Sequence, residues 1–370
     1  MTGSNGKQRS AAGGRRPVLV TGGAGFIGCN IADRLAREGH DVLVYDALVR
    51  PGVETNLDWL KARHGARISF VKADVRDATS LEAAAMEAKA VFHMAAQVAV
   101  TTSLVDPMED YEINVGGAVR LLDALRRRGE RTPLIFASTN KVYGDLADLE
   151  MRLEGGAYLP VDSRVRSHGV SEERPLDFHT PYGCSKGAAD QYVLDFARSF
   201  DLPTAVLRMS CIYGPRQMGT EDQGWVAHFL IRALAGEPIS IYGDGHQVRD
   251  ILQVYDAVDA YMAAWERIEQ VKGRAYNLGG GPANAVSLRQ LLGYIGEITG
   301  ERIELEFSDW REGDQRYFVA DTRKARRELG LKPAADWKSG VAGLAQWLAE
   351  SRRLRRPLRI AAEPALATAP

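Results

Sequence analysis

The segment Val18-Leu19-Val20-Thr21-Gly22-Gly23-Ala24-Gly25-Phe26-Ile27-Gly28 sets the architecture of the chain. A short apolar run enters a glycine-rich turn. A helical pattern follows to about Glu38, and a second apolar run, Val42-Leu43-Val44, ends at Asp46. Pro17 to Asp46 is thus predicted as strand, turn, helix and strand with an acid at the tip, a unit that holds a dinucleotide. Gly23, Gly25 and Gly28 fit G-x-G-x-x-G, and Gly22, Gly25 and Gly28 fit G-x-x-G-x-x-G. Glycine permits the tight turn and lets the backbone approach a pyrophosphate, while the helix start offers unpaired N–H groups and a positive dipole end. Asp46 can accept hydrogen bonds from both ribose hydroxyls and would repel a 2′-phosphate, which favours NAD over NADP; Arg50 keeps NADP open.

Strand and helix patterns continue to alternate. Ile68-Ser69-Phe70-Val71 is a third strand ending near Asp74, and residues 78–88 are Ala-rich and helical. Ala90-Val91-Phe92-His93 is a fourth strand, Met108 to Arg128 one long helix, and Leu134-Ile135-Phe136-Ala137 a fifth strand. A helix begins near Pro181, and Thr204-Ala205-Val206-Leu207-Arg208 is a sixth strand. Such alternation predicts an α/β, Rossmann-type doubly wound parallel sheet with right-handed crossovers. Residues 145–180 break the rhythm: a long polar stretch with Gly155-Gly156, Pro160 and Pro175, placed to act as a lid, a subunit contact or a solvated insertion. Beyond about 209 the pattern is mixed, with turns at Gly214-Pro215, Gly243-Asp244-Gly245 and Gly279-Gly280-Gly281-Pro282. The expected organisation is a disordered tail at 1–16, a dinucleotide-binding domain over 17–208, a smaller mixed α/β substrate-binding lobe over 209–350 with some segments returning to the first domain, and a disordered tail at 351–370.

With 370 residues, 45% of them hydrophobic, the chain can bury one large or two moderate cores. A formal net charge of −1 offers no bulk attraction to nucleic acid or an anionic membrane, and no apolar run is long enough to span a bilayer. Cys29, Cys184 and Cys211 are scattered without metal-ligand spacing, so no metal is expected and a reduced cytoplasm is the simplest setting.

Tyr182-Gly183-Cys184-Ser185-Lys186 is the second signal. Positions four apart share a helix face, so Tyr182 and Lys186 point the same way. Tyrosine is a poor base at its ordinary pKa of about 10. An adjacent ammonium and an oxidised nicotinamide ring are expected to lower it, giving a base for a sugar hydroxyl. Lys186 can also hold the nicotinamide ribose. Thr139, in Ser138-Thr139-Asn140-Lys141, falls at the C-terminal edge of the sheet, where it can share a hydroxyl with Tyr182 or simply cap a strand. Asn114, before Gly116-Gly117, either supports the active-site backbone or ends a turn.

Together with Asp74-Val75-Arg76-Asp77, Ala95-Ala96-Gln97 and Val248-Arg249-Asp250, these motifs resemble the extended short-chain dehydrogenase/reductase family of nucleotide-sugar enzymes over about residues 17–350. Gln97 to Ser103, Ile113 to Gly117, Ser138 to Asp145, Pro181 to Tyr192 and Asp222 to Val226 resemble its branch of CDP-sugar 2-epimerases. The resemblance implies roles by position. Gly22, Gly25, Phe26, Ile27, Gly28 and Asp46 would hold NAD, with Asp74 and Val75 at the adenine and Ala95, Ala96, Gln97 and Asn114 along the cofactor. Thr139, Tyr182 and Lys186 would be the catalytic set, Tyr182 and Lys186 also touching the cofactor. Lys141, Gln223, Trp225, Arg249, Arg311 and Asp314 would meet the substrate, with Arg249 and Arg311 at its pyrophosphate and Asp314 orienting Arg311 or touching a ribose. Related 4,6-dehydratases carry Thr-Asp-Glu where this chain has Thr139-Asn140-Lys141, so the acid and base for loss of water are missing. Lys141 is left to stabilise a keto oxygen or enolate, or to pair with an acid on the lid.

The implied activity is C2 epimerisation of a CDP- or GDP-linked hexose through a transient 2-keto sugar, with tightly held NAD and a nucleotide-diphosphate sugar as the partner molecule. A homodimer or homotetramer is implied by the same resemblance. A 4-epimerase and a net NAD-dependent dehydrogenase or reductase share the trio, and a non-catalytic dinucleotide-sensing module is the remaining alternative.

Overall fold

The computed structural model describes residues 16–352 and 358–359. The tails expected at 1–16 and 351–370 otherwise lie outside the described residues. At their inner edges Arg16 pairs with Glu130, and Leu358 packs beside the helix Leu288–Thr299, whose Ile298 carbonyl accepts from Arg359 N–H.

Seven parallel strands form the central sheet: β1 (Val18–Thr21), β2 (Val42–Asp46), β3 (Ile68–Lys72), β4 (Ala90–His93), β5 (Leu134–Thr139), β6 (Thr204–Met209) and β7 (Arg274–Leu278). Their order is β7-β6-β5-β4-β1-β2-β3. Strands β1, β4 and β5 are buried along their whole length, as a sheet covered on both faces requires. Helices Phe26–Arg37 and Val254–Glu266 bring Ile31, Leu35, Val258 and Tyr261 to one face. Helices Ala78–Glu87, Gly117–Arg128 and Thr180–Phe200 bring Leu81, Leu121, Leu125 and Val193 to the other. The strand order reverses between β1 and β4, which opens a crevice at their carboxyl ends.

A third core lies among helices Trp225–Ala235, Leu288–Thr299 and Trp337–Ser351, with Phe229, Leu230, Ile295 and Leu344 at its centre. Strand Val248–Gln253 joins this lobe together, pairing with Cys211–Tyr213, Ala285–Ser287 and Tyr317–Phe318. The segments that return to the first sheet include β7 and the helices Val254–Glu266 and Arg323–Leu329.

Two expectations change. The helix expected from Met108 to Arg128 is instead Pro107–Tyr111, a π turn Glu112–Gly116, and Gly117–Arg128. The widened turn carries Asn114 into the protein, and its amide bonds described below hold it there. Residues 145–180 are not a loose loop. They contain a hairpin, Met151–Glu154 with Ala157–Pro160, turning at Gly155 and Gly156, and a helix Ser163–His168 capped by Asp162. The hairpin docks through Tyr158 N–H on the His246 carbonyl, and Val170 pairs with Ala320. Polar composition hid this because the docking partners lie some 90 to 150 positions further along the chain.

Beneath the site, Arg208 of β6 forks onto Asp190 of the helix Thr180–Phe200 with two bonds of 2.9 Å, and Ser138 of β5 donates to the same carboxylate at 2.7 Å. Arg208 also donates to Tyr143, whose hydroxyl reaches Asn277 of β7. Asp190 is fully buried and Arg208 nearly so. Asp190→Ala strands a buried guanidinium and is expected to cost about 3–5 kcal/mol in urea denaturation, whereas replacing both partners with apolar residues of similar volume costs less.

Candidate active site

The site is assembled at the carboxyl edge of the sheet, where each β-strand ends and its loop begins. At β1, Gly22 has φ +66°, and a Cβ there would sit 2.7 Å from the Ala95 nitrogen. A Cβ on Gly28 would lie 2.2 Å from the Gly22 carbonyl oxygen, so only glycine lets the helix begin this close to the strand. Gly25 is the N-cap of that helix, with Phe26, Ile27 and Gly28 in its first turn. Asp46 ends β2; one carboxylate oxygen accepts from Ala24 N–H at 3.0 Å and the other from Leu48 N–H at 2.9 Å, leaving lone pairs on both. Arg50 lies within electrostatic reach of Asp46 and Tyr182.

Asp74 and Val75 follow β3. The Asp74 carbonyl accepts from Tyr45 at 2.8 Å, its carboxylate pairs with Arg76, and Val75 is buried. Ala95, Ala96 and Gln97 follow β4. There the Asn114 carbonyl oxygen accepts from Gln97 N–H at 3.0 Å, while its amide donates to Gln97 O, Asp110 and Ser185. Asn114 therefore supports the active-site backbone. The cradle, the helix start and an acid at the tip of β2 fit NAD.

Thr139 is the last residue of β5, and Tyr182 and Lys186 occupy one face of the helix Thr180–Phe200. Ser103 accepts from Tyr182 N–H at 3.2 Å and so fixes the start of that helix, a contact no sequence spacing signals. The expectation that Lys186 lowers the Tyr182 pKa does not hold in the protein without cofactor. Burial pushes the Tyr182 phenol up to about 12, with a hydrogen bond from Thr139 pulling it back, Asp110 raising it further and Arg50 opposing. Lys186 instead gives its ammonium to the Ala137 carbonyl at 2.6 Å, over the Phe136 ring, and burial draws it down to about 8. The largest effect on both groups is removal from water, which disfavours each charged form.

Lys141, Gln223, Trp225, Arg249, Arg311 and Asp314 all line one cleft with Thr139 and Tyr182, of about 390 Å³. Asp314 pairs with Arg249, not Arg311. Burial alone would raise the Asp314 pKa, but Arg249 and Lys141 outweigh it and hold the carboxyl below its ordinary value. Lys141 donates to the Gly313 carbonyl at 2.9 Å and stands 3.8 Å from Asp314, so its acid comes from the 313–316 turn and not from 145–180. Arg311 lies 3.8 Å over Tyr242 and faces Glu221 and Asp222. No residue of 145–180 lines the cleft; its rim is built from 221–225 and 311–314. Sequence reasoning missed Tyr242, Cys211 and the apolar wall of Val98, Val100 and Leu104. Tyr242 stands directly before the Gly243-Asp244-Gly245 turn, which was its one available signal.

Among the described residues no helix is long and apolar enough to cross a membrane, and no cluster of side chains could hold a metal ion. Residues 18–279 match the model of the NAD dependent epimerase/dehydratase family. The chain is 41% identical to the CDP-paratose 2-epimerase of Salmonella typhi over 89% of its own length and 98% of the relative's. Its structure resembles the UDP-glucose 4-epimerase of Thermotoga maritima solved with UDP-glucose (TM-score 0.78, 31% identity, 91% of this chain and 99% of that one). It also resembles the UDP-glucose 4-epimerase of Thermus thermophilus solved with NAD (TM-score 0.76, 30% identity, 90% and 98%). With a glycine cradle that fits the dinucleotide and a Thr139-Tyr182-Lys186 trio at the sheet edge, the chain belongs to the NAD dependent epimerase/dehydratase family and is an NAD-dependent enzyme.

Proposed function

We propose that the protein epimerises a nucleotide-diphosphate sugar, a CDP- or GDP-linked hexose, at C2 through a transient 2-keto sugar. The observation that carries this reading is the pair beside Thr139. Asn140 spends its amide on Gln315 at 3.1 Å, and Lys141 spends its ammonium on the Gly313 carbonyl. Neither can serve as the carboxylic acid and base that loss of water requires, so the keto sugar is left to take its hydride back rather than to dehydrate. Likeness to a CDP-paratose 2-epimerase supports C2 as the carbon.

NAD, when bound, accepts and returns the hydride of the sugar carbon. Tyr182 takes the hydroxyl proton as the keto group forms and gives it back when the carbon is inverted, with Thr139 bonded to the same phenol. Since the phenol stands at about 12 in the cofactor-free protein, it becomes a base only when positive charge arrives beside it. Arg249 is the buried fork for the diphosphate, its orientation set by Asp314 and by its own bond to the Val248 carbonyl. Arg311, which lines the same cleft over Tyr242, is the second cation for the diphosphate. Val98, Val100 and Leu104 offer the sugar an apolar wall, and Thr101 among them lines the cleft with a buried hydroxyl free to meet one sugar oxygen. Trp225 and Phe229 shield a keto group placed next to the anomeric carbon from water.

Incubation with CDP- and GDP-linked hexoses should give inversion at C2 by NMR, with no net NADH. Inversion at C4 alone, or stoichiometric NADH, overturns the reading. Tyr182→Phe should lower kcat by about 10²–10⁴. Lys186 gives a separate test. Its folded pKa of about 8 lies below the ordinary 10.5, so the unfolded chain binds more protons between those values. The burial cost is complete below about pH 8 and fades as pH rises towards 10.5. Lys186→Met is therefore expected to stabilise the NAD-free protein at pH 7 by about 1–3 kcal/mol in urea denaturation. That gain shrinks at pH 10, and epimerisation is lost.

A further inference from the structure

Two buried asparagines tie the dinucleotide turn to a segment of the other lobe. Asn30, in the helix that the turn opens, donates to the Phe26 carbonyl at 2.8 Å and to the Pro215 carbonyl at 3.2 Å. Asn56, in the helix Val53–His64, donates to the Ala24 carbonyl at 3.1 Å and to the Arg216 carbonyl at 3.2 Å. Asn30 is 4% exposed and Asn56 1%. The Asn56 carbonyl oxygen is itself buried without a partner. An amide that leaves its acceptor unsatisfied in the interior is worth keeping only for its donors, since an apolar side chain would avoid the penalty.

Arg216 completes the arrangement. Its φ is +75°, a left-handed conformation that non-glycine residues rarely adopt. In that conformation its carbonyl meets Asn56 while its guanidinium lies 4.0 Å from the Trp59 ring centre, three residues further along the same helix. One residue thus grips one helix face by its backbone and by its side chain. None of Asn30, Asn56 and Arg216 lines the substrate cleft.

We propose that Asn56 and Arg216 are positioning residues that lock the Gly22–Gly25 turn, through the Ala24 carbonyl, to the 214–217 segment, with Asn30 holding the helix behind the turn to Pro215, so that NAD stays resident between turnovers. The turn must hold its shape for its amides to meet a pyrophosphate, and the two clamps remove its freedom to relax when the cofactor begins to leave. The inference rests on NAD binding alone and stands whichever sugar carbon is inverted. It also makes cofactor retention a property of both lobes, although the glycines all belong to one.

The full-length protein and its Asn56→Ala, Arg216→Ala and Arg216→Gly variants are loaded with NAD and dialysed. NAD retained over time is then measured by mass spectrometry after denaturation. Arg34→Ala, which breaks a surface pair between the same first helix and Asp259, is the control. Asn56→Ala, which removes both of its hydrogen bonds, should release NAD at least about tenfold faster than the parent. Arg216→Gly relieves the backbone at φ +75° and so folds readily, yet should also release NAD faster because the grip on Trp59 is gone. Arg34→Ala should retain it. Equal retention in the parent, Asn56→Ala and Arg216→Gly would overturn the proposal, as would release from Arg34→Ala as fast as from Asn56→Ala.

Discussion

The ligand-binding edge depends on how closely the helix Phe26–Arg37 approaches the end of β1. Gly28 passes so near the Gly22 carbonyl that a single methyl group would collide with it. That approach brings the helix's first amides and its positive dipole end to the crevice where the strand order reverses. Asp46, at the end of β2, is drawn into the same turn through Ala24 N–H. The opposite wall of the crevice is the helix Thr180–Phe200, anchored by the Asp190–Arg208 pair and started by Ser103. The glycine turn and the Tyr182–Lys186 helix face are therefore two sides of one strand-end geometry.

Electrostatics in the site is governed more by removal from water than by pairing. Tyr182 and Lys186 share a helix face, yet each responds first to burial, and Lys186 spends its ammonium on a backbone carbonyl. Burial thus favours the neutral phenol at Tyr182. Toward the cleft mouth the balance differs. Lys141, Arg249 and Arg311 face Asp314, Glu221 and Asp222, so the site is close to neutral before a diphosphate enters. Among these cations Arg249 is the most buried.

Much of the site was legible because its residues lie in short local patterns. The glycine turn, Asp46 and the Tyr182–Lys186 spacing each express a geometry within one element, and the structure places them at one sheet edge. Arg249 and Arg311 were recognised by resemblance, and both reach the cleft. The partner of Asp314 was left open between Arg311 and a ribose, and the fold pairs it with Arg249, because a turn at 313–316 can face either arginine until the lobe is folded. The role of 145–180 was likewise undetermined: its hairpin and helix are local, but what they dock against is not.

By itself the sequence determined the alternation of strands and helices up to about residue 208, the dinucleotide unit and the shared helix face of Tyr182 and Lys186. These follow from periodicity, glycine placement and helical spacing, all of which act within a few residues. Only the tertiary structure decided the protonation of Tyr182, the π turn that carries Asn114 inward, the apolar wall of Val98, Val100 and Leu104, and the clamp of Asn56 on Ala24 and Arg216. Each depends on burial or on a contact between distant segments, and both arise only when the chain closes on itself.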